Sequence, residues 1–186
     1  MVFAMSDGLP REALSDGIVT LRPWTDADAP ELAAALDGDP EITRWLDRIP
    51  QPYTTEDALA FIRGTTGNER ESRLALTKAA GGRVLGSIGA TWNEAGDVAE
   101  VGYWLRADGR GRGATTCAVL LVVRWAFAEG AARVQLRADV ENVASRRVAE
   151  KAGFSLEGVL RSAYWNPRLE RRVDWAMYSL LPGELP

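Results

Sequence analysis

A strand-like run over residues 98–105 leads within a few positions into Arg110, Gly111, Arg112, Gly113, Ala114 and Thr115. A helix-like run then continues to about Gly130. Strand, glycine-rich turn and helix in that order leave the first N–H groups of the helix without intrahelical partners. The helix dipole adds about half a positive charge at the same point, so the turn suits an anion. Glycine lets a backbone approach a phosphate closely, and the two arginines add forked, planar donors. The turn reads as a pyrophosphate cradle; spacing alone leaves an ordinary tight turn open. Two other phosphate loops do not fit. A dinucleotide fold needs a parallel strand–helix–strand start near the first strand and an acidic residue roughly 20 positions on. A P-loop needs Gly-Lys-Ser/Thr, which does not follow here.

Composition excludes several chemistries. With 186 residues and a 46% apolar fraction, the chain suits one domain with its own core. A net charge of −4 and no basic stripe argue against a nucleic-acid partner. Histidine is absent and Cys117 is the one cysteine. No intrachain disulfide, no zinc site of the usual ligand set and no histidine base can be built, and no metal is expected. Cys117 falls in the helix after the turn and reads as a buried structural thiol. No apolar run approaches the ~20 residues that span a bilayer. The N-terminus lacks a cationic start followed by an apolar stretch. A cytoplasmic protein with no membrane partner is the expectation.

Along the chain, residues 1–16 show no periodicity and are expected to form a flexible arm, with residues 17–186 as a single domain. Residues 18–22 read as a strand stopped by Pro23. Asp26 is expected to cap a helix over 27–36, with further helices over 40–46 and 56–63 and a loop at 47–54. Residues 65–71 read as a polar connection. Strands over 73–78 and 83–91 flank Gly81 and Gly82, a hairpin signal. The helix after the glycine-rich turn carries Ala118, Leu121, Val122 and Trp125 at helical spacing. Val134, Leu136 and Ala138 alternate with polar neighbours, as in a half-buried strand. A helix over 142–152 and strands over 154–160 and 173–180 complete an α+β domain with a mostly antiparallel sheet of about seven strands.

Several ordered motifs now combine: Glu100-Val-Gly-Tyr-Trp-Leu105, the turn Arg110 to Thr115, Glu141-Asn-Val-Ala-Ser145, Glu150-Lys-Ala-Gly-Phe154, and Glu157-Gly158. Together they resemble the GNAT superfamily of acetyl-CoA-dependent N-acetyltransferases. Within it they resemble the ribosomal-protein N-terminal-alanine and -serine acetyltransferases and their small-amine-modifying relatives. The resemblance spans about residues 18–181. It implies a GNAT-like fold with the sheet splayed at the coenzyme A site and flanked by helices, and acetyl-CoA as co-substrate.

It also implies roles. Arg110, Gly111, Arg112, Gly113, Ala114 and Thr115 would hold the pyrophosphate, mainly through backbone N–H. The family has a small residue where Thr115 stands, and its hydroxyl either donates to phosphate or crowds the turn. Tyr103, Trp104 and Leu105 lie on the strand that the family kinks and splays. Pantetheine would add to that strand by backbone hydrogen bonds, and an N–H there would polarise the thioester carbonyl. Asn142 and Ser145 match an Asn-x-x-Ser element. Asn142 is equally a good helix cap, and Ser145 would bond the sulfur or protonate it. Many relatives place a tyrosine acid where Ala149 stands. A thiol leaves with a pKa of about 8.5, so an acid helps without being obligatory.

Glu100 shares a strand face with Gly102 and Trp104 and is the candidate base, against the alternative of a solvated carboxylate. Asp174 is a weaker candidate. Trp45, Trp92, Tyr164 and Trp165 fall near segments that form the acceptor groove in relatives, where ordinary packing is the alternative. The resulting expectation is direct acetyl transfer to a primary amine, a protein N-terminus or a small molecule, by a monomer or homodimer. A coenzyme-A-binding regulatory or interaction domain without chemistry is the alternative.

Overall fold

The computed structural model describes residues 10, 12–64, 71–79 and 82–186. Eight strands form one sheet in the order β1-β2-β3-β4-β5-β6-β8-β7. They are β1 Leu14–Ser15, β2 Val19–Pro23, β3 Glu71–Lys78, β4 Val84–Trp92, β5 Val98–Leu105, β6 Arg133–Asp139, β7 Ser155–Asn166 and β8 Arg171–Leu180. The helices are α1 Ala29–Asp37, α2 Pro40–Trp45, α3 Thr55–Ile62, α4 Ala114–Ala128 and α5 Val143–Lys151. All strand neighbours are antiparallel except β5 and β6. The strand beyond the expected seven is β1: Leu14 and Ser15 pair with Leu21 and Thr20, within the segment expected to be an arm. The rest of that arm, apart from residues 10, 12, 13 and 16, lies outside the described residues, as do Gly81 and most of the 65–71 connection.

Two apolar clusters hold the two faces. On one face Leu74, Leu76, Ile88, Val101, Val134 and Leu136 pack against Ala118, Val119, Val122 and Val123 of α4. The apolar surface of α4 is wider than the expected stripe, since Val119 and Val123 are fully buried and Leu121 only partly so. A second cluster binds Leu32 and Leu36 of α1 to Ile42, Tyr53 and Ala58. Strand alternation sends neighbours to different clusters: Tyr103 packs against the first and Trp104 against the second.

Short-range chemistry sets the helix entries. Thr25, rather than Asp26, opens the first helical turn, in a capping box with Asp28. The Asp28 carboxylate takes two bonds of 2.8 Å from the Arg22 guanidinium and two of 2.9 Å from Thr25. Thr54 caps α3 in the same way with Asp57. Strand β7 runs further than sequence suggests, to Asn166, because an irregularity between Leu160 and Tyr164 lets pairing with β8 resume. Ser162 sits there at φ 53°, with its N–H donating to Asp174 at 2.7 Å. Asp174 therefore holds a bend.

Candidate active site

The parallel strands β5 and β6 pair only through Val98–Arg133, Ala99–Val134 and Glu100–Gln135. Beyond Glu100, β5 stays with β4 as far as Leu105–Gly86 in unbroken register, while β6 follows β8 to Asp139–Trp175. The sheet therefore opens into a V whose vertex is Glu100. β5 carries no bulge against β4; the splay comes from β6 departing. The gap-facing backbone of β5 past the vertex is free of a neighbouring strand, although the Leu105 carbonyl accepts from Arg110 Nε at 3.0 Å.

One arm of the V leads to the glycine-rich turn. Gly111 and Gly113 have φ of 77° and 79°, a region other residues enter only with strain. A Cβ on either would meet no protein atom within 4 Å, so the space before the turn is open. Gly113 is the N-cap of α4 and offers no side-chain acceptor, which leaves the first N–H groups of that helix free for an anion. They face a cavity of about 360 Å³, also lined by Trp104, Asn142, Ser145, Arg147 and Lys151.

The arginines of the turn act differently from the sequence expectation. Arg110 is spent inside the protein: its NH2 donates at 2.6 Å to Asp39, the N-cap of α2, so it ties α2 to the turn. Arg112 is exposed and does not line the cavity. Arg110 still lines this cavity, but the side-chain cations there that form no ion pair among the described residues are Arg147 and Lys151, one helical turn apart on α5. Their i, i+4 spacing behind Asn142 is legible in the sequence, but nothing in the chain order says that this face meets the turn. Thr115 lines the cavity at the second position of α4.

Inside the V, three residues past its vertex on β5, the Tyr103 hydroxyl and Ser145 Oγ form a 2.9 Å hydrogen bond. Burial pushes the Tyr103 phenol up to about 12. Asn142 does cap α5, accepting from the Ser145 N–H at 3.0 Å, while its amide lines the cavities on both sides of the vertex. Ala149 is fully buried, so the position where the family resemblance implies a tyrosine acid faces the core. Cys117 lines none of these cavities, and burial together with Asp16 raises its thiol pKa.

The other arm forms the acceptor side. A cavity of about 420 Å³ contains Glu100, Gly102, Asp139, Tyr164 and Trp175. Glu100 is engaged on both oxygens: Oε1 accepts from Arg137 at 2.8 and 2.6 Å, and Oε2 accepts from Gln135 at 2.8 Å. Arg137 in turn lies 4.5 Å over the Trp175 ring, which stacks on Tyr164 at 5.1 Å. An adjoining cavity of about 480 Å³ is walled by Leu36, Ile49, Tyr53, Phe61 and Trp104. Trp45 borders all three cavities. Two tryptophans lie elsewhere than expected. Trp92 is 4% exposed in the core, edge-on to Trp125 at 6.0 Å, because its strand position faces α4. Trp165 is 52% exposed on β7 and lines none of the cavities, since alternation turns it away from the Tyr164 side.

Residues 19–155 match the family described as an acetyltransferase (GNAT) domain. The chain belongs to the GNAT acetyltransferases. It is 37% identical over 87 residues to YdaF of Bacillus subtilis (strain 168), named as a ribosomal N-acetyltransferase; the match covers 46% of each chain. The chain thus spans about half the length of that relative. A solved structure from T. thermophilus, described as an acetyltransferase, is 32% identical at a TM-score of 0.79 over 93% of this chain and 90% of that one. RimL, a ribosomal L7/L12 α-N-protein acetyltransferase solved with coenzyme A, shares the fold at 21% identity and a TM-score of 0.79, over 91% and 98% of the two chains.

The residues present fit a pyrophosphate-bearing co-substrate: an open, glycine-lined helix N-terminus and two uncommitted cations share its cavity. Among the described residues, no group of three or more His, Cys, Asp or Glu could hold a metal ion, and no helix is long and apolar enough to cross a membrane.

Proposed function

We propose that the protein moves an acetyl group from acetyl-CoA to a primary amine, the α-amine of a protein N-terminus or of a small molecule, by direct attack in a ternary complex. The observation that carries this reading is that the cavity at the α4 cradle and the acceptor cavity adjoin inside the V, where Tyr103 and Ser145 line both. Acetyl-CoA supplies the activated thioester. Backbone N–H groups from Gly111 to Thr115 hold its pyrophosphate, with Arg147 and Lys151 adding charge. The free edge at Tyr103, Trp104 and Leu105 takes the pantetheine arm by strand addition. A backbone N–H of that edge donates to the carbonyl oxygen as it gains charge.

In the reaction a C–N bond forms and the C–S bond breaks. A protonated amine and a thioester give an amide, a thiol and one proton to solvent. Ser145, held by Tyr103, donates toward the departing sulfur. Glu100 acts on the amine through water, because both of its oxygens already accept hydrogen bonds. The thiol of Cys117 is held in its neutral form and lies away from the vertex, so no covalent acyl-enzyme is invoked. The name of YdaF, a ribosomal N-acetyltransferase, favours a protein acceptor; the half-open, largely apolar cavity of about 480 Å³ equally suits a small amine.

A binding-only domain is the second reading, favoured by the buried Ala149 and the engaged Glu100. Free-thiol release from acetyl-CoA, measured against peptides with different N-termini and against small amines, separates the two. Amine-dependent release that Gly113→Glu loses is the expected result. Acetyl-CoA binding with no release on any amine would favour the second reading. Glu100→Gln should slow turnover with acetyl-CoA affinity intact, and undiminished turnover would remove Glu100 from the chemistry.

A further inference from the structure

Asp47 differs from every other acid around the acceptor cavities. It follows α2 in the loop at 46–54 and lines both the 480 and the 420 Å³ cavities. Its carboxylate takes part in no ion pair or hydrogen bond among the described residues, and Oδ2 is buried. Its neighbours are all committed. Glu100 is held by Arg137 and Gln135, Glu71 by Arg73, Asp57 by Thr54, and Asp139 by the Glu141 N–H. The cations are spoken for in the same way. Arg48, next in sequence, turns away to donate to the Tyr164 hydroxyl at 3.4 Å and lies 5.8 Å over its ring.

A carboxylate oxygen out of water with no donor is costly, and within the fold Asp47 has the charge of neighbouring Arg48 but no hydrogen bond to that oxygen. A donor from outside would supply one. The place is apt for an ammonium group, which brings three N–H donors and the complementary charge. Gly102 lines the same two cavities as Asp47, and a Cβ there would meet nothing within 4 Å, so the space beside Gly102 is open. Leu36, Ile49, Tyr53 and Phe61 make much of the wall of the 480 Å³ cavity apolar and suit an apolar group, while Asp57 and Glu71, which also line it, are already held by Thr54 and Arg73.

We infer that Asp47 is the acceptor-binding residue: it receives the ammonium of an amine whose neighbouring substituent is apolar and sits in the 480 Å³ cavity. This deepens the proposed transfer to an amine and rests on the same site. It selects among acceptors, favouring an amine beside an aliphatic or aromatic group over one beside a polar group.

The test uses the full chain loaded with coenzyme A, with 2-phenylethylamine and its uncharged isostere 2-phenylethanol titrated by calorimetry. Wild type should bind the amine roughly ten- to a hundredfold more tightly than the alcohol. Asp47→Asn should erase that preference, and Arg112→Ala, outside the cavities, should keep it. Coenzyme A affinity of Asp47→Asn within about twofold of wild type, together with an unchanged or higher Tm, would show the variant intact, because removing a half-buried carboxylate that makes no hydrogen bond does not destabilise. No amine binding by wild type, no preference over the alcohol, or a preference that survives Asp47→Asn would overturn the inference, as would a lower Tm, which would mean the carboxylate has a partner within the fold. Amine binding through Asp47 without any thiol release would sustain it while sinking the transfer reaction. Thiol release with an Asp47-independent amine would do the reverse.

Discussion

The Tyr103 hydroxyl and Ser145 Oγ lie 2.9 Å apart inside the V of the splayed strands, one from β5 and one from the first turn of α5. The position one turn further along α5, where the family resemblance implies a tyrosine acid, is the buried Ala149 in this chain. Here the tyrosine reaches the same helix from the sheet. With its pKa pushed up to about 12 by burial, Tyr103 stays protonated across the working pH range and is a weaker acid than a thiol. Its role is to hold the Ser145 hydroxyl in place. Tyr103→Phe and Ser145→Ala should each lower kcat by roughly tenfold, a hydrogen bond's worth of free energy. The double variant should be no worse than the weaker single one, since both remove one unit. Steady-state kinetics with saturating acetyl-CoA would show this; additive losses would mean that the two hydroxyls act separately.

Replacing Gly113 should have two separable effects. At φ 79° any other residue is strained, so Gly113→Ala should cost about 1–2 kcal/mol of stability. Its Cβ would meet no protein atom but would stand in the phosphate space. Gly113→Glu adds a like charge as well and should lower acetyl-CoA affinity by roughly a hundredfold or more. Denaturant unfolding reads the first effect and calorimetry the second. Full affinity in Gly113→Glu would place the cofactor elsewhere.

Arg147 and Lys151 face the cradle without an ion-pair partner among the described residues. Replacing both with alanine should weaken acetyl-CoA binding roughly tenfold and flatten its dependence on salt, as for partly exposed charge pairs. Replacing Arg112, which does not line the cavity, should change the affinity little. Equal losses at Arg112 and at the α5 pair would show that the arginine of the turn, and not α5, supplies the charge.

Stability should carry an acid-sensitive term from Asp28. The Arg22 guanidinium and the Thr25 donors hold the Asp28 pKa down to about 2 from 3.8. The folded value is below the unfolded one, so the contribution is present in full above about pH 4 and is lost as pH falls toward 2. Asp28→Asn should destabilise by about 1–2 kcal/mol at pH 7, less than the shift alone implies because Arg22 is partly solvated. The gap between variant and wild type should close by about pH 2. A gap that stays constant across that range would mean packing, not charge, is what the substitution removes.

The order and type of the elements were legible from residues alone, because periodicity and turn chemistry are local. Strand β5 has the expected bounds, and α4 begins where the glycines end. The misreadings also have local causes. Leu14 and Ser15 form a strand only because Leu21 and Thr20 lie beside them, and β7 extends past Leu160 only because β8 re-registers with it.

Chain order determined the cradle: two glycines that take positive φ before an apolar helix can be read from the sequence, since backbone conformation and a helix N-terminus are properties of neighbours in the chain. What each side chain does was decided by tertiary structure. Arg110 goes to Asp39, 71 positions away in the chain. Glu100 goes to Arg137, Trp92 to the core and Arg147 to the cradle. Asp47, an unremarkable acid in a loop, is left without a partner by contacts its neighbours make elsewhere. Hydrogen bonds and ion pairs are short-range and saturable, so whether a polar group remains free for a ligand depends on which distant residues fold against it.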